Sequence, residues 1–110
     1  MSQTWTLDEA VEFHNRLLPV ARTAGFGLGL TGGVLRNGTS NHDLDVIVYP
    51  LQAPAGDITA FKLALESFGL RLFRGREELT TGWRLKGSMD EKWVEVWMFD
   101  DKRVDVFFLR

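Results

Sequence analysis

With 110 residues, 45% of them hydrophobic and 12% aromatic, the chain is sized for a single globular domain over residues 1–110 and does not read as a disordered tail. Thirteen Lys and Arg against fifteen Asp and Glu give a formal net charge of −2, which removes any broad electrostatic reason to bind a nucleic-acid backbone. The absence of cysteine excludes a disulfide framework and a thiolate metal site. No stretch approaches the ~20 apolar residues of a spanning helix and the start lacks a secretory pattern, so a cytoplasmic protein without membrane association is expected.

In chain order, Thr6 and Glu9 read as a capping box that opens a helix. Ala10, Phe13, Leu17, Ala21 and Ala24 form its apolar face. Pro19 is expected to kink or interrupt it, Gly25 to end it, and His14 to lie on its surface. Phe26 to Thr31 then reads as a strand with Phe26, Leu28 and Leu30 on one face; Gly27 and Gly29 leave the other face bare for something to approach. The Gly32-Gly33 turn leads to a short helical turn around Val34 to Asn37, and Asp43 to Tyr49 is a second strand. Asp57 caps a second helix carrying Ile58, Phe61, Leu65 and Phe68, which Gly69 ends. Leu70 to Phe73 and Trp83 to Lys86 are short strand candidates. Trp93 to Phe99 and Val104 to Leu109 form a closing hairpin around Asp100 to Arg103. The expected fold is α/β of the mixed α+β kind: a mixed sheet flanked by helices.

Chemistry concentrates in Thr31 to Tyr49. Asp43 and Asp45, at i and i+2 on a strand, share one face with Cα atoms roughly 7 Å apart. Two like charges side by side raise one another's pKa, whereas a hard divalent cation such as magnesium or manganese accepts both as oxygen ligands. Gly32 and Gly33 free backbone N–H groups for a phosphate, and Arg36 adds a charged fork for the same anion. His42 is a weaker candidate, for a base or an acceptor contact. Arg74, Arg76, Arg84 and Lys86 are weaker candidates for binding triphosphate or acceptor, and Trp93 and Trp97 read as core or interface.

The Gly-Gly turn followed by hydrophobic-Asp-x-Asp-hydrophobic, on Gly32, Gly33, Asp43 and Asp45, resembles the DNA polymerase beta-type nucleotidyltransferase superfamily. GGVLRN resembles the Gly-Gly-x-x-Arg segment of CCA-adding and poly(A) polymerase heads, and HDLD resembles the approach to the paired acids in aminoglycoside and lincosamide nucleotidyltransferases. The resemblance implies a metal-dependent enzyme that moves a nucleoside monophosphate from a nucleoside triphosphate to a hydroxyl acceptor and releases pyrophosphate. Asp43 and Asp45 would be ligands of Mg2+ or Mn2+, and Gly32, Gly33 and Arg36 would hold the nucleotide. It also implies a third carboxylate on a neighbouring strand, for which Asp105 in RVDVFF and Glu95 in WVEVW compete.

Pairing Phe99 with Val104 sets Asp105 opposite Met98 and Glu95 opposite Phe108, so the two acids face opposite ways. Asp105 is the choice for third catalytic acid and metal ligand because KRVDVFFL resembles the hydrophobic-Asp-hydrophobic strand of that superfamily more closely, which leaves Glu95 as an exposed or rim residue. The linker is shorter than in the CCA-adding group and the pI is about 5.6, so a small-molecule or protein acceptor is expected ahead of nucleic acid. The alternative reading is a non-catalytic nucleotide- or partner-binding module of the same fold, antitoxin-like or one subunit of a larger enzyme. A homodimer or a partner subunit fits the small size.

Overall fold

The computed structural model describes residues 4–40, 43–51, 57–75 and 92–109. His42, Arg76, Arg84, Lys86 and the strand expected over Trp83 to Lys86 lie outside the described residues.

A two-residue strand, β1 (Trp5–Thr6), leads into helix α1 (Leu7–Thr23). The capping box forms: Thr6 Oγ1 accepts from the Glu9 N–H at 3.2 Å and Glu9 Oε1 accepts from the Thr6 N–H at 3.0 Å. These bonds satisfy two donors at the point where the helix supplies no carbonyls. Ala10, Phe13, Leu17 and Ala21 are buried, as their spacing predicts. Pro19 does not interrupt the helix, which runs on to Thr23. Leu17 and Ala21 are buried on either side of it, and that packing outweighs the single backbone hydrogen bond that proline removes. His14 also departs from expectation. It is half-buried, and its Nε2 donates to the Leu28 carbonyl at 3.1 Å, tying α1 to an edge strand of the sheet.

The remaining elements are β2 (Phe26–Thr31), α2 (Gly33–Asn37), β3 (Thr39–Ser40), β4 (Asp43–Pro50), α3 (Ile58–Phe68), β5 (Leu70–Arg74), β6 (Lys92–Phe99) and β7 (Lys102–Leu109). Five strands form one sheet in the order β2-β4-β7-β6-β5, while β1 and β3 pair separately. β4 and β7 run parallel and the other neighbours antiparallel, so the fold is a mixed α/β one. The parallel step follows from connectivity: α3, β5 and β6 intervene between β4 and β7, which gives the chain the length a crossover needs.

Helices α1 and α3 supply Phe13, Leu17, Phe61 and Leu65 to the same core as Leu28, Val46, Val48, Val106 and Phe108. The period-two pattern of β4 divides the sheet: Leu44, Val46 and Val48 are buried towards the helices, and Asp43, Asp45, Ile47 and Tyr49 project from the other face. The close approach expected at the bare face of β2 occurs at Gly27, where an added Cβ would lie 2.4 Å from the Tyr49 ring. Among the described residues no helix is long and apolar enough to cross a membrane.

The closing hairpin differs from the expected register. Its turn is Asp100-Asp101, with Asp100 at φ 55°, a left-handed conformation that aspartate tolerates better than most residues. The strands therefore pair Phe99 with Lys102, Val96 with Asp105 and Glu95 with Val106. This shift is by two residues, and an even shift leaves every side chain on its predicted face. Arg103 becomes a strand residue instead of part of the turn.

Candidate functional site

The register of β4 against β7 builds the site. Asp45 lies directly opposite Asp105, and Asp43 opposite Arg103. Because the strands are parallel neighbours, Asp43 and Asp45 share one face with Asp105, and each residue offers a carboxylate oxygen within 4.8 Å of the other two. The structure thus brings together the three acids selected from the sequence. Asp105 is 8% exposed, and Asp43 and Asp45 are intermediate.

Electrostatics in the cluster are strained. Burial, the largest effect, pushes the Asp105 carboxyl up to about 6; the Arg103 guanidinium opposes the rise, and the neighbouring Asp43 carboxylate adds to it. Asp45 is also raised above the usual carboxylate range, first by burial and further by the charge on Asp105, while Asp43, Arg103 and Arg36 pull it down. Arg103 donates from Nε to Asp105 Oδ1 at 2.7 Å and from Nη2 to Oδ2 at 3.3 Å, a two-pronged contact from a side chain 44% exposed.

Sequence reasoning missed Arg103 because it was assigned to the turn. The signal was present in Arg-Val-Asp, whose i and i+2 residues share a strand face.

The Gly32-Gly33 turn borders the same acids. Thr31 pairs with Asp45, so the chain leaves β2 beside that carboxylate. At φ 81° and ψ −154°, Gly32 occupies backbone space that is essentially glycine's alone. A Cβ there would stand 2.0 Å from Asp45 Oδ2, so the absence of a side chain is what lets the backbone lie against the acid. Gly33 begins α2. Arg36, one turn along, is exposed and close enough to favour the charged form of Asp45. A cleft of about 230 Å³ opens next to the acids, lined by Thr31, Gly32, Asp45, Ile47, Phe107 and Leu109.

Glu95 is not at the rim. It is fully buried on the helix-facing side of the sheet, away from the three aspartates. Its Oε2 accepts from Trp93 Nε1 at 3.1 Å and its Oε1 from Trp97 Nε1 at 3.0 Å, while Lys62 Nζ of α3 lies 2.8 Å from Oε2. The buried carboxylate is stabilised by three donors and serves packing between β6 and α3.

The donor set fits a hard divalent cation. Three oxygen ligands on adjacent strands, two of them held above the ordinary carboxylate range, are what such an ion takes up and what its charge would relieve. Compared with family models and with curated proteins, the chain matches none.

Proposed function

We propose that this protein is a metal-dependent nucleotidyltransferase that moves a nucleoside monophosphate from a nucleoside triphosphate to a hydroxyl acceptor. The observation that carries the reading is the convergence of Asp43, Asp45 and Asp105 from two parallel strands within 4.8 Å, beside a glycine turn that rests on one of them. Mg2+ or Mn2+ bound by these three acids would polarise the α-phosphate and the acceptor oxygen, and would neutralise the leaving pyrophosphate. In the reaction the acceptor oxygen attacks the α-phosphorus, the bond from the α-phosphorus to the bridging oxygen breaks, and pyrophosphate departs. Asp105, whose carboxylate lies with those of Asp43 and Asp45, would take the acceptor proton. Arg36 and Arg103 both act on the carboxylates of the cluster and are able to receive triphosphate oxygens, and the Gly32-Gly33 turn allows its backbone close to the same anion.

The acidic overall balance, together with Ile47, Phe107 and Leu109 lining the cleft, favours a small-molecule or protein acceptor over a nucleic acid. One observation favours a second reading, a non-catalytic nucleotide- or partner-binding module: Arg103 already supplies Asp105 with a cationic partner. Calorimetry with each of the common nucleoside triphosphates, with and without Mg2+ or Mn2+, tests both readings. The enzyme reading expects triphosphate binding that requires the metal and disappears in Asp45→Asn. Metal-independent binding, unchanged in that variant, supports the module, and no binding of any triphosphate overturns the nucleotide assignment.

A further inference from the structure

A second cavity, of about 310 Å³, lies between the first half of α1, the end of α3 and the β6–β7 turn, and shares no residue with the aspartate cluster. Its size is at the small end of ligand pockets. Aromatic rings build it: Phe13 packs on Phe68 and Phe99 with ring centroids 5.7 and 5.2 Å apart, and Trp5 stacks on Phe99 at 6.5 Å. Trp5 and Phe13 are buried beneath, whereas Phe68 and Phe99 are only partly buried and offer ring surface to the cavity.

The faces of these rings already attract cations from within the chain. Lys102 Nζ stands 4.9 Å from the centre of the Trp5 ring, and the Arg16 guanidinium 5.5 Å from that of Phe68, both inside the range of cation–π attraction. Four carboxylates line the cavity against these two cations. Lys102 is engaged by Glu9, which leaves Glu12, Asp100 and Asp101 with no ion pair or side-chain hydrogen bond among the described residues. The cavity therefore combines partly exposed π-surface with an excess of negative charge, four carboxylates against Lys102 and Arg16, and positive charge on an apolar body complements both.

We propose that this cavity binds a small organic cation, an ammonium or guanidinium head carried on a compact apolar body. The head lies among Glu12, Asp100 and Asp101, and the body rests on Phe68 and Phe99. The site is independent of the nucleotidyltransferase reading, since none of its residues belongs to that chemistry.

Choline, agmatine and the neutral isostere of choline with carbon in place of nitrogen are the probes, titrated into the full-length protein. Binding is followed by the indole N–H resonance of Trp5, with those of Trp93 and Trp97 as internal controls. The expected result is a saturable shift of Trp5 with at least one of the two cations, Trp93 and Trp97 unmoved, and affinity for the neutral isostere lower by about tenfold or more. The double variant Glu12→Gln, Asp101→Asn, which changes only exposed side chains, should weaken the cation by a similar factor. Absence of a saturable Trp5 shift with both cations, equal affinity for the neutral isostere, or unchanged affinity in the double variant would each overturn the proposal.

Discussion

Gly32 shows how one residue can hold both a backbone path and a functional group in place. Any side chain there meets two penalties at once. The conformation at φ 81° and ψ −154° is disfavoured for a residue with a Cβ by about 1–3 kcal/mol, and the Cβ itself would displace the Asp45 carboxylate. Gly32→Ala is therefore expected to lose stability in that range and, separately, to weaken divalent-cation binding by moving Asp45. Urea unfolding and a manganese titration on the same protein read the two effects. Wild-type stability in this variant would show that the turn is not strained as described.

Glu95 makes the corresponding argument at the scale of elements, because it joins α3 to β6. Glu95→Ala leaves two buried indole N–H groups without their acceptor, while Lys62, 36% exposed, can turn to water. At about 1–3 kcal/mol for each orphaned donor, a loss of about 3 kcal/mol in urea unfolding is expected, with metal binding retained. A loss below about 1 kcal/mol would mean that the indole N–H groups of Trp93 and Trp97 do not depend on Glu95 for an acceptor.

The elements were largely legible in the sequence because their signals are local. The Thr6–Glu9 capping box, the spacing of Phe13, Leu17 and Ala21, and the alternation of β4 all rest on neighbours within a few residues. The separation of Asp105 and Glu95 onto opposite faces was legible too, since face depends on parity and survived the two-residue register error, whereas the siting of Asp105 beside Asp43 and Asp45 was expected from the resemblance alone. Burial of Glu95 could have been inferred: residues 93, 95 and 97 share a face, so two core tryptophans imply a buried acid between them. Its stabilising cation could not, because Lys62 comes from a helix remote in sequence. The turn was misjudged because Asp100-Asp101 contains no glycine to announce a left-handed residue.

For the whole molecule, the acid cluster links stability to pH and, on the proposed reading, to metal. Asp105 titrates near 6 in the folded, metal-free protein against an ordinary value of 3.8, so the folded state holds this proton more tightly than the unfolded chain does. Its contribution is fully present below about pH 4 and is lost as pH rises through about 6. Metal-free protein should therefore lose stability across that window, and Asp105→Asn should flatten the loss. A divalent cation competes with the proton, so Mn2+ should raise the melting temperature more at neutral pH than at pH 5. Thermal melts with and without Mn2+ across this range check both statements: metal-free stability that does not fall across the window would contradict the first, and an Mn2+ effect larger at the acid end the second.

The most direct test is a manganese titration followed by electron paramagnetic resonance of the free ion, on wild type and on Asp43→Asn, Asp45→Asn and Asp105→Asn. Wild type should take up one or two ions, and each substitution should weaken the tightest site by about tenfold or more. Metal-free unfolding midpoints should stay the same or rise, since each change removes a like charge and no apolar contact. Undiminished manganese binding in all three variants would contradict the account, because the three aspartates would then hold no metal.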